Sequence, residues 1–296
     1  MGFKSREQWP LSKCLWKLLV FASFFIVLAG FGITFPDSPG ESDNQKMLNR
    51  ILEETGDYCE RVKNMALFYV CKEKIVAVKY FYPRRDLEKF SLTAGKLKAR
   101  DSRQKTFTYD YQLVKKEKEL REKRILLEED GKEKYKEDVE LRPVKYIGKY
   151  LVYGPVGFLS KYWQKRFDYE IVGEDVLDGK ETIIIASSPK KEREENFNYG
   201  RVWVDKKNFS ILKIEYDPRS IKDYEDELIL SPIGDLKKKV VWTVNFGIEK
   251  KGVRFPSKQL VQEYYVNNEG KTVLVEEVTF HYVDYKFFIV EVEVKY

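Results

Sequence analysis

Apolar residues recur at every second position through long stretches of this chain, and a period of two confines those stretches to strands with one buried face. Phe107, Tyr109, Tyr111 and Leu113 share one side of such a run, while Thr106, Thr108, Asp110 and Gln112 share the other. Trp242, Val244, Phe246 and Ile248 repeat the pattern, and so do Phe288, Val290, Val292, Val294 and Tyr296 at the C-terminus. Asp130-Gly131, Asp178-Gly179, Lys251-Gly252 and Asn268-Glu269-Gly270 stand between the runs. Their glycines supply the positive φ that tight hairpins need, so the strands follow one another as an antiparallel meander. No helical stretch alternates regularly with the strands, which disfavours a parallel βαβ sheet. The dense Lys and Glu of 115–138 would suit an exposed helix by propensity. The alternation before it and Asp130-Gly131 within it instead predict a long, solvent-exposed hairpin.

Helical spacing is clear in one place. Met47, Leu48, Ile51, Leu52, Cys59, Val62 and Ala66 recur near every 3.6 residues, and Ser42 with Gln45 three positions on forms a capping box before them. A short second helix is expected over Pro155 to Trp163, with proline in its first turn and Phe158, Leu159 and Trp163 on one apolar side. A third is expected after Pro218, capped by Ser220, with Ile221 and Tyr224 turned inward. The fold class is therefore mainly β with a few helices, an α+β arrangement around one antiparallel sheet.

The N-terminus bounds the compartment. Lys4, Arg6, Lys13 and Lys17 stand against the single acid Glu7, and residues 18–35 then carry no charge. This is a cationic n-region followed by an apolar segment, long enough to be either a cleaved signal or a membrane-spanning anchor. In both cases the cationic flank stays in the cytoplasm and the rest is exported to the periplasm or cell envelope. Residues 1–36 are thus read as signal or anchor and 37–296 as one domain.

Little in the exported part points to catalysis. It has one histidine, His281, expected to be exposed or on an edge strand. There is no Gly-x-Ser-x-Gly elbow, phosphate-binding loop or dinucleotide fingerprint, and the few His and Cys cannot fill a structural zinc set. No catalytic residue, cofactor or metal is assigned. Past residue 35, Lys and Arg exceed Asp and Glu by only three, so no footprint for nucleic acid appears. One locally basic stretch, Arg84 to Lys105, reads as a solvated loop or as a contact for an anionic membrane or partner. Cys59 and Cys71 form an even pair in an oxidising compartment, placed around a helix-to-strand reversal, and a disulfide between them is expected.

The segment from Phe167 to Tyr216 reads Phe-Asp-Tyr-Glu-Ile-Val-Gly-Glu-Asp-Val-Leu-Asp-Gly-Lys, then Ile-Ile-Ile-Ala, then Gly-Arg-Val-Trp-Val-Asp-Lys-Lys-Asn-Phe-Ser-Ile-Leu-Lys-Ile-Glu. It resembles the outer-membrane lipoprotein-sorting proteins of the LolA-like fold, with a strand pair around Asp-Gly, a Val-Trp-Val-Asp strand and a strand returning near Lys-Ile-Glu. The opening amphipathic helix followed by a strand is similar to that family too, although this chain is longer than the family's carriers. The resemblance implies a curved, open half-barrel with helices over an apolar concave side that receives acyl chains. Its expected partners are a lipid or lipoprotein acyl chain and an envelope protein, with the membrane added if the N-terminal segment is uncleaved. Phe158, Leu159 and Trp163 on the covering helix, facing Trp203, Trp242 and Phe246 on the sheet, are the expected groove. A sensor or scaffold with a filled interior is the alternative. N-terminal sequencing of the exported protein should return a start between Gly30 and Ser38, whereas an intact Met1 would show that the segment is retained as an anchor.

Overall fold

The computed structural model describes residues 43–67, 69–92, 97–116, 119–137, 139, 141, 154–190, 198–221 and 236–288. The apolar run 18–35, Ser42 of the capping box, Tyr224 and the C-terminal alternation beyond Phe288 lie outside them. Among the described residues, no helix is long and apolar enough to cross a membrane.

Helix α1 spans Asp43–Met65 and turns Leu48, Ile51, Tyr58, Cys59 and Val62 inward. The 3.6-residue period set by the sequence therefore decides which side of α1 meets the sheet. Strand β1 (Tyr69–Phe81) follows, then α2 (Arg84–Leu92), β2 (Asp101–Lys116), β3 (Glu119–Glu129) and β4 (Lys132–Lys136). Two short helices, α3 (Gly154–Leu159) and α4 (Lys161–Gln164), lead into β5 (Phe167–Leu177), β6 (Lys180–Pro189), β7 (Gly200–Asp205) and β8 (Ile211–Tyr216). The chain closes with β9 (Lys237–Asn245), the ribbon β10 (Ile248–Lys250) and β11 (Val253–Phe255), then β12 (Lys258–Val266) and β13 (Thr272–Phe287).

Eleven of these strands form one antiparallel sheet in the order β4-β3-β2-β1-β13-β12-β9-β8-β7-β6-β5, curved and open between its two edge strands. The expected turns form: Asp130, Asp178 and Lys251 each take φ 50°, with Gly131, Gly179 and Gly252 at φ 73° to 74°. Two successive residues in the left-handed region make the turn that matches strand twist, so each dipeptide joins neighbouring strands. The described residues of 115–138 are strand and hairpin, not helix, as the turn dipeptide indicated. Helix α1 packs against α3, α4, β5 and β11 on one face of the sheet, and a contiguous core lies beneath it. His281 is exposed opposite Lys74 and Lys258, on an interior strand rather than an edge.

Two expectations are corrected. Cys59 and Cys71 are both free and buried. The Cys59 thiol donates to the Pro155 carbonyl at 3.5 Å, while Cys71 sits in β1 beside Tyr285. Because α1 continues to Met65, Cys59 is directed across the fold at α3, so each sulfur has a different neighbour. Burial pushes both thiols up from their ordinary range. Of the helix expected after Pro218, residues 222–235 lie outside the described residues; what is described is a 3-10 turn, Pro218–Ser220, capped by Asp217, whose carboxylate accepts the Arg219 N–H. Ser220 donates to the Asp217 and Tyr199 carbonyls at 2.7 and 3.1 Å. Part of the basic stretch read as a loop is α2, which buries Leu87 and Phe90.

Gly200 opens β7 at a point where neighbouring backbone approaches closely. A Cβ there would run into the Glu215 carbonyl oxygen and the Asp217 nitrogen, and Ser187 Oγ bridges the Gly200 carbonyl and N–H at 3.1 and 3.2 Å. Gly200→Ala should therefore lower unfolding free energy by about 1–3 kcal/mol through overpacking, read as a shift of the urea midpoint with unchanged slope.

Candidate functional site in the half-barrel interior

Directly paired residues of adjacent strands share a face, so the register identifies the inner wall. Trp242 pairs with Val261, and Gln259 pairs with both Val244 and Phe280. Val244, Val261 and Phe280 all belong to the main core, which places Trp242 and Gln259 on the covered face of the sheet. The two are diagonal neighbours, about 7–8 Å apart along the wall. Trp242 is 1% exposed and lies against the Tyr216 ring, tilted by 40° with ring centroids 4.3 Å apart. Among the described residues its indole N–H has no hydrogen-bond partner, and neither does either end of the Gln259 amide, although Gln259 is fully buried.

The cover is α1 with α3 and α4. Leu159 is fully buried in the core, and Trp163 packs against its margin. Gln164 ties the short helices to α1 by donating to the Leu52 and Leu159 carbonyls at 2.5 and 2.7 Å. An exposed pair, Lys161 with Asp57 at 2.6 Å, adds a second tie. Gly56 lets these surfaces approach, since a Cβ there would lie 2.7 Å from Lys161 Cγ. At the outer lip, Tyr162 and Trp163 meet edge to face at 4.9 Å under the Arg166 guanidinium.

The structure thus brings Leu159, Trp163, Trp242 and Phe246 to one core. Trp203 is not with them. It alternates with the core residues Val202 and Val204, so its ring lies on the opposite face of β7. There it donates to Asp175 Oδ2 at 3.0 Å and carries the Lys213 ammonium 4.1 Å from its ring centroid. Placing Trp203 in the groove is therefore corrected: a strand's parity does not state which side is inner. The side chain of Phe158 lies outside the described residues.

The interior also holds a buried ionic cluster. Glu73 is fully buried, and Arg124 reaches it across β2 with Nε at 2.7 Å and Nη2 at 3.3 Å from its two oxygens. Arg124 Nη1 donates to Glu122 at 3.1 Å, and the Tyr111 hydroxyl donates to the same carboxylate at 2.9 Å. The guanidinium lies 4.7 Å over the Tyr111 ring. Burial pulls the Arg124 pKa down, but the Glu73 and Glu122 carboxylates outweigh it and hold the group above its ordinary value. Burial raises Tyr111 and Tyr282 well above their usual range, so both stay protonated and act as donors.

Sequence reasoning missed Glu73, Arg124 and Gln259. A signal for Glu73 existed: it interrupts the otherwise apolar set Tyr69, Cys71, Ile75 and Ala77 on one side of β1.

A family model described as that of an uncharacterized protein matches residues 145–224, which include the Val-Trp-Val-Asp strand. No curated protein matches the chain. Among solved structures, it is similar to a DUF1329 family protein from Desulfovibrio piger, at 12% identity and a TM-score of 0.35, over 82% of this chain and 95% of that one. A putative outer membrane lipoprotein-sorting protein domain from Vibrio parahaemolyticus matches at 11% identity and TM-score 0.35, with the same coverage. A LolA superfamily protein from Nitrosomonas europaea matches at 9% identity and TM-score 0.34, over 81% and 94%. The likeness spans most of each chain, but at these TM-scores it lends no weight to any activity.

Arg124→Met leaves the Glu73 carboxylate buried without its partner and should cost about 3–5 kcal/mol of stability, whereas Arg124→Met with Glu73→Leu should recover most of that loss. Urea unfolding of the three proteins checks this, and a single variant as stable as the parent would sink the idea that the pair pins β1 to β3.

Proposed function

We propose that this chain is an exported binding protein of the envelope that takes an acyl chain, or the acylated end of a lipidated peptide, into its half-barrel. Residues 1–36 act in this reading as export signal or anchor and 37–296 as the binding domain. The observation that carries it is the Gln259 amide beside the Trp242 N–H, both without partners among the described residues, on an apolar stretch of the wall. A buried polar group left without a partner costs about 1–3 kcal/mol, so a wall that served only as packing would gain by losing it. An acyl chain joined through an ester or amide supplies what these groups lack. Its carbonyl accepts from Trp242 Nε1 or Gln259 Nε2, and an amide N–H can donate to Gln259 Oε1. The methylenes contribute about 0.8 kcal/mol each on leaving water. Entry requires α3 and α4 to swing from α1, which breaks the Gln164 bonds and the Lys161–Asp57 pair. No cofactor or metal takes part, and no bond is made or broken.

One observation favours a second reading. Leu159, Trp242 and Gln259 are only 0–1% exposed, so the interior around them is closely packed in this state. An interior filled in this way also suits an envelope scaffold or sensor that recognises a protein partner and holds no ligand.

The two readings diverge on Gln259→Leu. In both, removing the orphaned amide should stabilise the fold by about 1–3 kcal/mol. Only in a binding protein should it also weaken capture of an N-palmitoyl peptide bearing an environment-sensitive fluorophore, by roughly ten-fold for one lost hydrogen bond. Trp163→Asp should weaken it as well. Failure of the parent protein to take up the probe, together with bare protein in a native mass spectrum of detergent-free material, would establish the scaffold instead.

A further inference from the structure

The connection between β1 and β2 builds a lobe that the half-barrel does not need. Helix α2 turns Leu87 and Phe90 onto Leu236 and Val273, forming a small core separate from the main one. Two hydrogen bonds, one buried and one part-buried, hold the lobe to the β12–β13 hairpin. Asn267 Nδ2 donates to the Phe90 carbonyl at 3.1 Å, and the Tyr82 hydroxyl donates to the Leu274 carbonyl at 2.8 Å. The lobe is thus fixed at the end of β1 remote from its junction with α1, about 40 Å along a strand of this length.

Its outer surface is basic. Arg84, Arg85, Lys89, Lys98, Arg100 and Arg103 are all exposed, against the acids Asp86, Glu88 and Asp101. Glu88 is engaged by Arg84 at 2.9 Å, and Asp101 accepts the Ser102 N–H. The start of β9 carries exposed Lys237 and Lys239 at the same end, but they alternate with Lys238, whose partner Tyr265 packs on the α2 core, and so lie on the other face of the sheet. Large apolar side chains stand among the cations of the lobe. Leu92 is 78% exposed and Phe81 36%, with the Arg103 guanidinium 5.1 Å over the Phe81 ring.

We infer that this lobe is a docking surface for an anionic phospholipid bilayer. The cations are spread over one end of the molecule instead of lining a groove, which fits a planar array of phosphates better than a single acidic segment. Leu92 and Phe81 project where side chains enter the interfacial layer, and cations around them meet the headgroups. Each basic residue near such a surface adds a modest, salt-sensitive increment, so several together are needed for stable binding. This inference is independent of what the half-barrel holds.

The full-length chain tests it by hydrogen exchange on vesicles of phosphatidylcholine alone and of phosphatidylcholine mixed with phosphatidylglycerol. Both vesicle types accept the N-terminal apolar segment, so only a difference between them reports on the lobe. Amides of 81–92 and 97–105 should exchange about ten-fold more slowly on the anionic vesicles alone, and high salt should reverse this. Arg84→Glu with Arg85→Glu should abolish the difference, and Leu92→Asp should reduce it, with melting temperatures unchanged because all three side chains are exposed. Equal protection on both vesicles, or none on either, would overturn the inference. Protection by polyglutamate with none by anionic vesicles would overturn it too, and would assign the surface to an acidic polypeptide.

Discussion

The pairing of β1 with β13 is the contact on which the rest of this structure depends. It joins Tyr69 to Phe287 and runs to Lys79 beside Glu276, so strands from opposite ends of the domain lie side by side in the middle of the sheet. Without it the sheet would be two separate meanders, β4 to β1 and β13 to β5, each with an extra open edge. Closing so long a loop is entropically costly and is repaid only by a full ladder and the aromatic cluster of Tyr69, Phe255, Tyr285 and Phe287 that forms across it. The same pairing puts β1 in the interior of the sheet, where Glu73 cannot reach water and must find Arg124.

Two kinds of buried polarity follow, and they behave oppositely. The Glu73, Arg124 and Glu122 cluster is satisfied: both Glu73 oxygens and the guanidinium are engaged, with Tyr111 completing Glu122. Such a cluster adds little net stability over apolar packing, but it penalises any register other than the one that keeps its members together. Among the described residues Gln259 and Trp242 lack partners in the same interior, as does the Tyr69 hydroxyl beside that cluster. The short cover over it is tied by few polar contacts, whereas α1 is embedded through Tyr58, whose hydroxyl accepts the Arg254 N–H.

The molecule separates these roles in space. The interior under α1 is a mainly apolar core that carries the ionic cluster and Gln259, and the basic lobe stands on its own small core at one end of the sheet. A change in one therefore need not disturb the other, since distant sites without shared partners act nearly additively.

What the sequence by itself determined is local. Alternation in 107–113 and 242–246 places strands, Asp-Gly and Lys-Gly place their turns, and the spacing from Leu48 to Val62 selects the buried side of α1. Each is set by neighbours within a few residues. The nine residues of α2 escaped notice because so short a segment shows only two buried apolar positions among its charges. Tertiary structure alone decided the rest. Parity puts Trp203 and Trp242 on strand faces, but only the position of α1 makes one face inner. Two cysteines bracketing a helix-to-strand reversal look able to pair, but the length of α1 aims Cys59 at Pro155. Glu73 and Arg124 meet across 51 residues, and Gln259 becomes an orphan only once β9 and β13 enclose it. Periodicity describes how a segment relates to itself; enclosure depends on which distant segment arrives on top of it.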